Sequence, residues 1–108
     1  MNLQTLLLLT ATLSLGACAS LIQTASVSEA YKYYERQQYD RTLELITRAE
    51  NADTITAEMK AELTYLKAQT YDKLGQGAIA TTLYEYLAAE HSNSQYGYLS
   101  VKRLNSSL

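Results

Sequence analysis

The chain repeats itself at an interval of 38 residues. When residues 30–49 are set against residues 68–87, Ala30 meets Ala68, Tyr33 meets Tyr71, Thr42 meets Ala80, Ile46 meets Tyr84 and Ala49 meets Leu87. Each copy runs small residue, tyrosine, turn, small residue, then bulky or apolar positions. A repeat of this length confines a chain to stacked supersecondary units, since each unit buries its apolar face on its neighbour. Proline is absent and glycine occurs four times. With so few breakers, abundant Ala, Leu, Glu, Gln and Lys, and no sustained strand alternation, the units are helical. The fold class is all-α.

The spacing predicts five helices. Ser26-Val27-Ser28-Glu29 fits a capping box that opens the first, which runs to about Gln37. Tyr39 and Asp40 open the second, with Leu43, Ile46 and Ala49 as its apolar face. Asp53 or Thr56 caps the third, where Glu58 suits the helix dipole and Met59, Leu63, Leu66 and Thr70 share one side. Gly75-Gln76-Gly77 stops that helix near Leu74, because glycine tolerates left-handed backbone. A fourth helix spans about Ala78 to Glu90 and buries Ile79, Leu83, Tyr84 and Leu87. Ser92 with Gln95 is a second capping-box candidate. The last helix, Gln95 to about Leu104, packs through Tyr98, Val101 and Leu104 or Asn105, leaving Lys102 and Arg103 to water.

The repeated pattern resembles the tetratricopeptide repeat, two antiparallel helices joined by a tight turn. That resemblance implies a right-handed α-α superhelix of about two helix-hairpin units plus a C-terminal helix, covering residues 26–108. Within it Ala30 and Ala68 would allow close approach of the partner helix, and Tyr33 and Tyr71 would wedge between helices. The segment from Tyr34 to Leu43 resembles the family's inter-helix turn, except that Gln37 stands where glycine is usual; Gly75 supplies it in the second unit. The family period is about 34 residues, so the extra residues here fit best before Ala61. Thr54 and Ser92 occupy the places of the usual proline. The run from Ala89 to Tyr96 also resembles the joint between repeats of periplasmic members, including those in outer-membrane-protein assembly lipoproteins.

The first residues carry an address. From Leu3 to Leu15 the chain is mostly leucine, followed by Gly16, Ala17 and the sole cysteine, Cys18. A short apolar core capped by small residues has the form of a secretory signal. Leu15-Gly16-Ala17-Cys18 resembles the lipobox of bacterial lipoproteins, which implies cleavage of residues 1–17, a covalent lipid on Cys18 and a tether over residues 18–25. No Lys or Arg precedes Lys32, so the positive n-region is missing. An uncleaved membrane helix from about Leu3 to Ile22, or plain secretion, stays open beside lipidation. Ala19 follows the cysteine where Asp would imply inner-membrane retention, so the resemblance points to an outer-membrane anchor facing the periplasm, with inner-membrane anchoring as the alternative.

Chemistry is sparse. Nine basic and eleven acidic side chains give a formal net charge of −2 without a basic stripe, which argues against nucleic acid as a partner. The single cysteine cannot form an internal disulfide. His91, the only histidine, lies at a helix end without companions for catalysis or metal binding. Glu58 and Glu62, one turn apart, read as an ordinary charged face, and Gly75-Gln76-Gly77 lacks the lysine of a phosphate loop. No catalytic residue, metal or cofactor is expected beyond the lipid on Cys18, and no enzymatic activity.

All ten aromatic residues are tyrosines. Tyr33, Tyr39, Tyr71 and Tyr84 read as packing. By the resemblance, Tyr31, Tyr34, Glu35, Tyr65, Gln69, Asp72 and Lys73 line a concave groove in which tyrosines could anchor a peptide; ordinary exposed tyrosine is the plainer reading. The expected function is a lipid-anchored, non-catalytic module holding a protein or peptide partner in the cell envelope. The alternatives are an accessory subunit of an outer-membrane-protein assembly, pilus or secretion machine, and a structural lipoprotein that associates with itself.

Overall fold

A computed structural model of the chain describes residues 23–106. The expected signal sequence, the lipobox-like segment with Cys18 and the first part of the expected tether lie outside the described residues. Within them the protein is built from helices: α1 over residues 23–35, α2 Tyr39–Glu50, α3 Ala57–Lys73, α4 Gly77–Glu90 and α5 Gln95–Ser106. No strand occurs among the described residues. The order of packing follows the chain, α2 on α3, α3 on α4 and α4 on α5, with α5 reaching back to α3.

The repeat is visible in the backbone. At the α1–α2 turn Gln37 N–H donates to the Tyr34 carbonyl (3.0 Å) and Gln38 N–H to that of Tyr33 (2.9 Å). Thirty-eight residues later Gly75 N–H donates to the Asp72 carbonyl (3.1 Å) and Gln76 N–H to that of Tyr71 (2.9 Å). Gln37 and Gly75 are both left-handed, at φ 60° and 75°. Gln37 thus adopts the backbone for which glycine is the easy choice, and the turn geometry holds in both units.

Small residues mark the helix contacts. Ala30, Thr42, Ala68 and Ala80 are fully buried, as are Leu45, Ile46, Leu63 and Leu87. Ala30, Leu45, Ile46, Ala49, Leu63 and Leu66 form one core cluster at the α1–α2–α3 junction, flanked by Val27, Tyr33 and Met59. Ala68, Ala80 and Tyr84 form a second, flanked by Tyr65, Tyr71, Leu83 and Leu104. Helix α3 serves both. It therefore buries Ala61 and Thr64 in addition to the expected Leu63, Leu66, Ala68 and Thr70. The Thr64 and Thr70 hydroxyls are satisfied by the carbonyls of Lys60 and Leu66, each at 2.7 Å, so neither is an orphan in the interior. Thr56 caps α3, its hydroxyl accepting from Met59 N–H at 3.1 Å, which resolves the choice against Asp53.

Several sequence expectations need correction. Residues 23–25 are already helical, and Ser26, expected as a cap, is buried inside α1 one turn before Ala30. Gln23, Thr24 and Ala25 include no breaker to delay the helix, and Ser26 is small enough to face the core. The buried face of α4 is Ala80, Tyr84 and Leu87, whereas Ile79 is 44% exposed. On α5 the packed residues are Gly97 and Ser100, with Leu104, whereas Tyr98 is 67% and Val101 45% exposed. On α5 the contact stripe is rotated by one residue from the bulkiest positions, because the start of α5 lies against the backbone of His91 and Leu87 and leaves no room there for large side chains. The cap of α5 is Ser94 rather than Ser92: its hydroxyl accepts from Gly97 N–H (3.0 Å) and donates to the His91 carbonyl (2.9 Å). Among the described residues no helix is long and apolar enough to cross a membrane.

Candidate binding groove

One face of α3 presents Glu58, Glu62, Tyr65, Gln69 and then Asp72 with Lys73, a spacing of three to four residues that aligns them along the helix. Helix α1 borders this face on one side. Tyr31 Oη donates to Glu62 Oε1 at 2.8 Å, and Tyr34 lies with Tyr65 in a common cleft. Helix α5 borders it on the other, where the Tyr96 ring stands 5.6 Å from that of Tyr65 and Arg103 grips Asp72.

The cleft has a volume of about 360 Å³ and is lined by Tyr34, Tyr65, Gln69, Asp72, Lys73, Tyr84 and Arg103. Five of the seven residues proposed from the sequence therefore come together. The other two do not line it: Tyr31 is engaged with Glu62 further along the same face, and Glu35 is exposed at the end of α1. Two lining residues, and Tyr96 beside the cleft, lie outside the set the sequence proposes. Tyr84 was assigned to packing, and its ring is indeed buried, yet its hydroxyl donates to Asp72 Oδ2 at 2.9 Å. Arg103 was given to water. It instead makes a forked contact with Asp72, Nε to Oδ2 at 3.2 Å and Nη2 to Oδ1 at 3.1 Å, with its guanidinium 5.6 Å from the Tyr84 ring. Tyr96 figures in the sequence reading only at the end of the run that resembles the joint between repeats, at the start of the last helix. No local spacing announces a pair such as Asp72 and Arg103, which are 31 residues apart.

The Asp72 carboxylate thus accepts three hydrogen bonds and ties α5 to the α3–α4 hairpin. Arginine suits this place because its planar fork meets both carboxylate oxygens and its face can lie on an aromatic ring. Tyr65, set edge-on to Tyr84 at 5.8 Å and beside Tyr96, divides the face into two ends. The arrangement is rigid and amphipathic: phenol rings with hydroxyls, an amide, and charges at the rim. Among the described residues no group of three or more His, Cys, Asp or Glu side chains is placed to hold a metal ion. His91 lines a second, wider depression of about 560 Å³ with Glu90 and with Glu58 at the start of the same α3 face, and its ring is 5.5 Å from that of Tyr86.

Burial raises the phenol pKa of Tyr31, Tyr34, Tyr65, Tyr84 and Tyr96, reinforced at Tyr31 by the hydrogen bond to Glu62 and at Tyr84 by that to Asp72. A group whose folded pKa lies above its unfolded value holds its proton longer in the native state. Its contribution is complete below the unfolded pKa of 10.0 and is lost as pH rises from there toward the folded value. Urea unfolding should therefore show stability falling steeply above pH ~10. In Tyr31→Phe and Tyr84→Phe the slope of stability against pH should be shallower; an unchanged slope would remove these two phenols from the account.

Set against known protein families, curated proteins and solved structures, the chain matches none of them.

Proposed function

We propose that this chain is a lipid-anchored, non-catalytic interaction module of the bacterial cell envelope, in which tetratricopeptide-like hairpins present the tyrosine-lined face of α3 to a peptide segment of a protein partner. The observation that carries this reading is the cleft itself, where Tyr34, Tyr65 and Tyr84 meet a polar rim of Gln69, Asp72, Lys73 and Arg103. Aromatic residues held rigidly by their neighbours give contact area at little entropic cost, as anchor residues of interfaces do. The duplicated turn, with left-handed Gln37 and Gly75 at equivalent places, supports the tetratricopeptide-like superhelix. The anchor rests on Leu15-Gly16-Ala17-Cys18. Acylation there would place the module at the periplasmic face of the outer membrane, and two or more acyl chains hold a protein essentially without release.

A second reading, a structural lipoprotein that associates with itself, draws on Tyr98 and Val101, the exposed apolar stripe of α5. The two are separated by crosslinked affinity capture of the full-length protein from intact envelopes. A partner recovered with the wild type and lost with Tyr34→Ala and Tyr65→Ala, at unchanged helicity, is the expected result. Recovery of the chain alone, with a mass in sedimentation that rises with concentration, would replace the groove with self-association. In the same preparation Cys18→Ala should lose the mass of the lipid and leave the membrane fraction.

A further inference from the structure

The charges on the inner face of α3 are sorted by end. At its start stand Glu58, exposed, and Glu62, half-buried, with the phenols of Tyr31 and Tyr96 beside them. The lysines of the same helix are spent elsewhere: Lys60 lies 5.9 Å from the Tyr86 ring and Lys67 pairs with Glu50 at 3.6 Å. Among the described residues neither Glu58 nor Glu62 makes an ion pair. At the other end Asp72 is matched by Arg103, and Lys73, exposed at the rim of the cleft, makes no ion pair among the described residues. Between the ends lie Tyr65 and Gln69, uncharged. Burial raises the Tyr96 phenol, and the nearby carboxylates of Glu62 and Glu58 push it the same way.

The distances set a length. Glu62 and Lys73 are eleven residues apart on one helix, roughly 16 Å along its axis. An extended peptide covers that distance in about five residues. We infer that the groove takes an extended peptide in a single polarity, a basic residue seated at Glu58 and Glu62 and an acidic residue about five positions away at Lys73, with an aromatic or aliphatic side chain on Tyr65 between them. This rests on the reading of the face as a peptide groove and adds to it the chemistry of the peptide. Complementary rim charges fix register and exclude the reversed sequence more than they add affinity.

The test uses the full-length chain in mild detergent against a displayed library of random dodecapeptides. The expected enrichment is Lys or Arg separated by about five positions from Asp or Glu, with an apolar residue between. The best enriched peptide, made synthetically and followed by fluorescence anisotropy, should bind Lys73→Glu and Glu58→Lys roughly ten-fold more weakly, and the loss should shrink as salt rises. A peptide with the acidic residue changed to lysine should regain affinity for Lys73→Glu. Both substituted positions are exposed, and circular dichroism of each variant checks that the helices persist. Peptides enriched without the charge pattern, lost with Tyr65→Ala but indifferent to Lys73→Glu, would overturn the polarity and leave the groove standing. Failure of any peptide to enrich would overturn both.

Discussion

Gly97→Ala should destabilise the protein by about 2 kcal/mol or more, although alanine is the better helix former by roughly 1 kcal/mol. A Cβ at this position would lie 2.1 Å from the His91 carbonyl oxygen, 2.8 Å from its carbon and 3.1 Å from the Leu87 carbonyl oxygen. All three are backbone atoms, so no flexible side chain can yield. The start of α5 would have to move away from the end of α4. That movement would also pull on the Ser94 cap and, further along α5, on the Arg103–Asp72 contact. Gly77→Ala is the control, since a Cβ there meets nothing within 4 Å; it should be neutral or slightly stabilising. Urea denaturation measures both, and hydrogen exchange should show protection in α5 lost first in Gly97→Ala. Equal stability of the two variants would mean that the α4–α5 joint is looser than described.

Leu66→Ala should cost about 2–5 kcal/mol, the range for emptying a well-packed leucine site. Leu66 is 1% exposed and belongs to the cluster formed with Ala30, Leu45, Ile46, Ala49 and Leu63. Its neighbours are carried by three different helices, and no single side chain can relax into the space. A domain of this size holds on the order of 4–13 kcal/mol in all, so the substitution would consume a large part of it. Leu66→Met, which roughly conserves volume, should lose less than about 1.5 kcal/mol. Thermal and urea unfolding by circular dichroism separate the two; a difference within about 0.5 kcal/mol would show that the junction is not closely packed. Leu66 also adjoins Tyr65 in sequence, so a loosened core should weaken the groove as well as the fold.

Much of the helical plan was legible because its signals are local. Tyr39 and Asp40 open α2 where the pattern places them, Gly75 stops α3, and Thr56 caps it. The repeat was legible because Ala30 with Ala68 and Thr42 with Ala80 are small where helices meet, and all four are fully buried. The facing of α5 is misread for the same physical reason in reverse. Hydrophobic periodicity looks for bulk and puts Tyr98 and Val101 inward on α5, while the buried positions are Gly97 and Ser100; on α4 the same reading puts Tyr84 and Leu87 inward, as found, and misplaces Ile79.

The candidate groove divides along the same line. Tyr34, Tyr65, Gln69, Asp72 and Lys73 share one cleft with Tyr84 and Arg103, and Tyr96 stands beside Tyr65 from α5, whose rotation the sequence did not settle. The sequence by itself determined the all-helical class, the near positions of the helix ends and the 38-residue period, since propensity, capping and turn conformation act over a few neighbouring residues. Only the tertiary structure decided which stripe of α5 faces inward, and that Arg103 closes on Asp72. Those choices depend on how closely two helix axes can approach, a property of residue pairs that the chain brings together from far apart.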